Sequence, residues 1–296
     1  MILLAILLAL FATRQSVVPE YLKQLRWGHW YLAFFEQLPL AERVQAAVCY
    51  AIFVITIMFV CWFVGTYQTE WLYDAADLVI GTIFLVSVIG DCQLERDMQP
   101  FLKRWQAQEW QSAYVHGKKI FNYTRAVGPS DLLSQTITLY LLRINQVLFA
   151  PVFWAVIFGS AGLAMYILTY IAGQSTDGGK SSASDAGSWR KIAMDFSQVL
   201  ESVPARIVAI SIGLLCVNWK ALVVAFRRFR VTDREAEIVL KLAVKSALNF
   251  NELSEGLELL AAEGSNRFQA IQKLKNNVLL FWVIFVAVLS LFGLAL

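Results

Sequence analysis

An all-α, polytopic helical membrane protein is the fold the sequence predicts, with about five transmembrane helices and amphipathic cytoplasmic helices between them. Three observations predict it. The 296-residue chain is 58% hydrophobic and only 16% charged, whereas an ordinary soluble domain is about 25% charged. Its apolar residues gather into stretches of the ~20 residues a helix needs to cross hydrocarbon. Its basic residues are unevenly shared: segments 13–45, 91–145 and 226–277 hold four, seven and nine Lys or Arg, the connection 66–70 holds none and 172–204 holds three.

Taken in order, the first twelve residues, MILLAILLALFA, are short for a span and lack the basic start and small-residue cleavage site of a signal peptide. They form either a tucked or tilted short helix or a frayed extra span. Trp27, Trp30, Tyr31 and Phe34 then recur at helical spacing beside Lys23 and Arg26. That pattern suits a helix lying along a lipid surface, or one facing a cytoplasmic partner. Residues 1–45 thus read as an apolar N-terminus and an interfacial helix. Residues 46–65 and 71–90 form a transmembrane hairpin (46–90). In its second arm Trp71 and Tyr73 sit at interface depth. Asp74 and Asp77 are either paired carboxylates or an acidic helix start at the wet end.

Residues 91–145 read as a cytoplasmic helical segment. The span 147–171 follows, then a Gly/Ser linker at 174–188, then a fourth span at 207–226 interrupted by Lys220, so that 146–226 is a membrane pair. Residues 227–277 return to the cytoplasm. There Thr232 and Glu235 make a capping box for a helix carrying Ile238, Leu242 and Leu253, and Arg227, Arg228 and Arg230 meet anionic headgroups. Residues 278–296 are the last span. The basic bias places the three large connections inside, and only a span at 207–226 keeps 226–277 on that side.

Composition also narrows the function. A net charge of +3 is too small to argue for nucleic acid. Cys49, Cys61, Cys92 and Cys216 show no CxxC and read as buried reduced thiols, and His29 and His116 are too scattered for a metal cluster. Gly179-Lys180-Ser181 imitates the end of a phosphate-binding loop, but the leading Gly is one place too early and the strand is missing. The residues call for no metal and no cofactor, and no Ser–His–Asp or Cys–His arrangement stands out. The partner they call for is the lipid bilayer.

Two stretches do need a reason. RINQVLFAPVFW (143–154) carries Arg143 and Asn145 to a membrane-length helix, then sets Pro151 inside it before Trp154. Ser130-Asp131 starts the helix that reaches Arg143, and Pro151 removes one backbone bond and kinks the span. ESVPARI (201–207) sets Pro204 and Arg206 at the mouth of the next apolar run. Pro204 suits the first turn of a helix capped by Ser202 or Val203. Arg206 then sits badly at the positive end of the dipole, unless Glu201, Asp195 or an anionic small-molecule ligand relieves it. Two roles stay open for this cluster: an internal ion pair or headgroup contact fixing two helices, or a ligand site.

These stretches also carry a likeness. LYLLRINQVLFAPVFWAVIFGSAGLAMYILTYIAG, VLESVPARIVAI and the closing VIFVAVLSLFGLAL resemble the AmpE-type inner-membrane signalling modulators, associated with control of β-lactamase induction and with peptidoglycan recycling. The match is good over 139–171 and 199–216. The resemblance implies a non-enzymatic modulator in a bacterial inner membrane, with an inner-membrane or cytoplasmic protein partner. The same stretches are distantly similar to adenosylcobinamide-phosphate synthase, whose acidic motifs surround them. Here LLRINQVL, LTYIAGQ and MDFSQVLES keep only Asp195 and Glu201, and a ligase needs acids to hold Mg²⁺. A residual ligase and a ligand-transport component are the alternatives.

Overall fold

The computed structural model describes residues 2–14, 70–91, 94–121, 126–174, 188–227, 235–248, 250 and 257–292. The predicted span at 46–65, the aromatic face Trp27–Phe34, the linker after Gln174, Thr232 and Leu253 lie outside them. Every regular element among the described residues is a helix. In order they are α1 (Ile2–Arg14), α2 (Glu70–Asp91), α3 (Leu94–Gln106), α4 (Trp110–Phe121), α5 (Pro129–Ile144), a π turn (Asn145–Phe149), α6 (Ala150–Gln174), α7 (Ser188–Leu215), α8 (Trp219–Arg227), α9 (Glu235–Ala247) and α10 (Leu257–Leu291). Four helical stretches among these residues are long and apolar enough to cross a membrane: Leu78–Gln106, Pro129–Ile171, Asp195–Leu215 and Leu260–Leu291. The chain is a helical membrane protein.

The predicted arm 71–90 coincides with α2, and the predicted helix through Ser130-Asp131 is α5. Pro129 takes the first helical position, where its missing N–H costs nothing. The Asp131 carboxylate accepts the Val127 N–H at 3.1 Å. The expected span 207–226 is different: α7 ends at Leu215 and a new helix starts at Trp219. The break is a left-handed residue, Val217 (φ 49°), which a right-handed helix cannot pass through. Downstream, residues 257–277 and the last predicted span as far as Leu291 form one helix, α10, with no break at 277.

The chain divides into two compact units. The first holds Met1–Asp91, Gln146–Glu201 and Val283–Leu296. Within it α1 packs against α2, burying the small residues Ala5 and Ala9 with Ile6 while Leu4, Leu7 and Phe11 stay exposed. Small residues let helices approach closely where no hydrophobic effect drives them together. Thirteen residues rise about 20 Å, two thirds of a hydrocarbon core. Helix α2 also packs on α6. Its buried Ser87 returns its hydroxyl to the Ile83 carbonyl, so the polar group carries its own partner.

The second unit holds Cys92–Asn145 and Ser202–Trp282. Helix α3 buries Leu94, Met98, Phe101 and Trp105, one face at helical spacing. Trp105 stacks on Phe101 at 5.7 Å and meets the edge of Trp110 at 4.5 Å. Phe268 of α10 joins Phe101 and Tyr140 edge-on. This aromatic core depends on Gly264, because a Cβ there would lie 2.3 Å from Trp105 Nε1. Elsewhere in the unit Ala209, Val239 and Ala243 close α7 on α9, and the Trp282 indole donates to the Ser211 hydroxyl at 3.0 Å. Lys275 donates to Glu95, joining α10 to α3 at the surface.

Candidate functional site

Two prolines organise the described part of the resemblance, and each leaves a backbone carbonyl that an aromatic side chain fills. The first is Pro151. A proline ring in a helix collides with the carbonyl four residues earlier and offers no N–H. The chain before it widens into the five-residue π turn Asn145–Phe149, which makes room for the ring. In π spacing the Gln146 carbonyl looks for the N–H of residue 151, and residue 151 is the proline. The Tyr166 hydroxyl supplies the bond instead, donating to Gln146 O at 2.7 Å. Tyr166 is fully buried, so its own hydroxyl is satisfied by the same contact.

The second is Pro204. It lies inside α7, sixteen residues past the start, not in a first turn as the sequence suggested. In α-helical spacing the carbonyl it leaves is that of Leu200, and the Trp154 indole N–H donates to that oxygen at 3.1 Å. The helix continues through Pro204 because the missing donor comes from α6, a known route by which membrane helices tolerate proline. The same correction removes the dipole problem of Arg206. A macrodipole acts within the first turn of a helix, and Arg206 lies eighteen residues past Ser188.

Next to Leu200, Glu201 is only 5% exposed, and its Oε2 accepts from Gln146 Nε2 at 2.9 Å. Burying a carboxylate is costly unless donors surround it, and the Gln146 amide is one such donor. Gln146 and Trp154 thus pin the π turn and the start of α6 to two consecutive residues of α7, while Tyr166 returns from further along α6 to hold the turn itself. Trp154 is oriented by rings on two sides, Phe158 stacked at 5.7 Å and Phe153 edge-on at 5.1 Å.

Helix α6 breaks sharply at Gly159 (φ 65°, ψ −154°), eight residues beyond the expected kink at Pro151. That backbone region belongs to glycine alone. One turn on, a Cβ at Gly162 would lie 2.8 Å from the Trp154 carbonyl and 2.5 Å from Phe158 Cβ, so the chain after the break lies tightly on the turn before it.

Of the sequence-predicted site residues, Pro151 and Trp154 therefore belong to this junction in the first unit, with Glu201. Arg143, Asn145, Pro204 and Arg206 fall in the second. Asn145 and Pro204 are buried and Arg143 and Arg206 half-buried. Asp195 is exposed and Glu201 buried. Sequence reasoning passed over Gln146 and Tyr166. The carbonyls in need of a donor were signalled by register, Gln146 standing five residues before one proline and Leu200 four before the other; nothing in the spacing pointed to Tyr166. No group of His, Cys, Asp and Glu able to hold a metal occurs among the described residues. Burial pushes the Cys216 thiol up from its ordinary value. No family model, curated protein or solved structure matches the chain.

Proposed function

We propose that this protein is a non-enzymatic integral membrane signalling modulator of the AmpE type. It would sit in the bacterial inner membrane with its large connections in the cytoplasm and relay the state of peptidoglycan recycling to β-lactamase expression. One observation carries the reading: the two stretches on which the resemblance rests meet in a backbone junction, Trp154 Nε1 on Leu200 O. A tryptophan committed to a carbonyl and a glutamine committed to Glu201 hold helices in place, which suits a relay between membrane and cytoplasmic segments. The uneven distribution of Lys and Arg supports the orientation. The partners of this reading are the bilayer, an inner-membrane or cytoplasmic protein, and an anionic small molecule at Arg143 and Arg206.

The test is inducible β-lactamase activity in a clean deletion strain with its flanking genes intact. The strain is complemented with wild type or Arg206→Ala at matched membrane levels. Altered induction on deletion, restored by wild type and not by Arg206→Ala, is the expected result. Equal induction in all strains would remove the regulatory reading.

A further inference from the structure

The turn between α7 and α8 is built against its own backbone preference. The last turn of α7 closes with the Asn218 N–H on Gly213 O at 2.9 Å and the Val217 N–H on Leu214 O at 3.2 Å. This pair of bonds is the helix-ending arrangement whose left-handed position glycine normally takes. Here the position holds Val217 at φ 49°, and a β-branched residue is disfavoured there. Asn218 locks the conformation from both sides. Its Oδ1 accepts the Lys220 N–H at 3.0 Å, capping α8, and its Nδ2 donates to Ser246 O at 2.7 Å.

What this backbone presents outward is apolar. Val217 is 91% exposed, Trp219 76%, Leu214 53% and Leu215 40%, and Lys220 beside them is exposed too. Glycine at 217 would relieve the strain, so the valine side chain is the part with a use. The membrane-length stretch Asp195–Leu215 ends at this turn. An apolar tip at the end of a span, followed by Trp and Lys, has the chemistry of the membrane–water boundary. There Trp rings collect and Lys reaches headgroups.

We propose that Leu214–Lys220 is an interfacial anchor. Leu214, Leu215, Val217 and Trp219 enter the headgroup–acyl boundary, and Lys220 meets anionic headgroups. Because Asn218 joins the turn to the end of α9, the anchor also sets the depth of α9. The proposal does not rest on the signalling role.

The test uses the full chain with its four cysteines replaced by alanine and a nitroxide at Val217→Cys. It is reconstituted in phosphatidylcholine vesicles with or without phosphatidylglycerol. Oxygen collisions exceeding those of a water-soluble nickel chelate are expected, with Lys220→Glu shifting the label toward water only when phosphatidylglycerol is present. Chelate collisions in excess would place the turn in water and overturn the proposal. An immobile label shielded from both would mean a protein partner or second copy covers it, which overturns it too. Unmoved depth with Lys220→Glu would overturn the anionic contact. Should the cysteine-free chain fail to fold, the native-cysteine protein is compared with Trp219→Phe in brominated lipids. Stronger quenching of the Trp219 component by bromines near the headgroup supports the anchor, and absence of quenching refutes it.

Discussion

Replacing Trp154 by Phe keeps a ring but removes the N–H that reaches Leu200 O at 3.1 Å. Pro204 has no backbone N–H to offer that carbonyl, so the variant leaves a buried acceptor with one partner fewer. The cost is about 1–3 kcal/mol, with a smaller addition from the apolar ring area lost between indole and phenyl. Pro204→Ala restores a backbone donor to the same oxygen. In the Pro204→Ala background Trp154→Phe should therefore cost only the ring term, and the double-mutant cycle should show coupling of about 1–2 kcal/mol. The ring term appears in both backgrounds and cancels. Unfolding in mixed micelles titrated with sodium dodecyl sulfate and read by pulse proteolysis measures all four corners. Coupling below about 0.5 kcal/mol would mean that the indole does not replace the bond Pro204 lacks, and the account of the junction would be wrong.

Tyr166→Phe should lose stability by about 1–2 kcal/mol and lose less in a Pro151→Ala background, measured by the same cycle. Gly264→Ala should cost about 1–3 kcal/mol, because its Cβ would stand 2.3 Å from Trp105 Nε1; Trp105→Phe in the same chain should recover part of it in the same titration. Gly159→Ala should destabilise by about 1–3 kcal/mol, since its φ of 65° suits no L side chain in that region, and a neutral result would mean the break can close. Glu95→Gln, by contrast, should change stability by less than about 1 kcal/mol, because that half-exposed carboxylate is screened by water.

The class of the fold was legible because membrane helices are constrained by length and charge, and both are written in composition. Helix boundaries were less so. The interruption at 216–218 rests on Val217 in a left-handed conformation, and valine is the last residue from which a sequence reading would expect one. The apolar run through Leu222–Val224 resembles a continuing span because hydropathy does not register backbone direction. Pro204 misled for a related reason: proline marks a helix start when the missing N–H is an orphan anyway. Inside a helix it requires a donor from another element, and Trp154 lies 46 residues upstream of Leu200. Gln146 was hidden for lack of a charge, although its amide is a donor to the buried Glu201.

Proline in a membrane helix creates a need at a calculable address, and the two cases here differ in the spacing that gives it. Where the helix stays in α spacing, the address is four residues back, and Leu200 stands four before Pro204. Where the chain widens to π spacing to make room for the ring, the address moves to five, and Gln146 stands five before Pro151. In both places the donor is an aromatic side chain, Trp154 or Tyr166, rather than a short hydroxyl of the same helix. A serine or threonine four residues away can satisfy only its own turn, whereas an indole or phenol spans the gap between chain segments and brings apolar area with its single donor. The consequence is that each proline, which weakens one helix locally, becomes a fixed point between two segments. A substitution that makes the helix locally better, proline to alanine, removes the reason for that fixed point. At Pro204 it should leave the protein stable while loosening the register of α6 against α7, because a backbone donor then competes with Trp154 for Leu200 O.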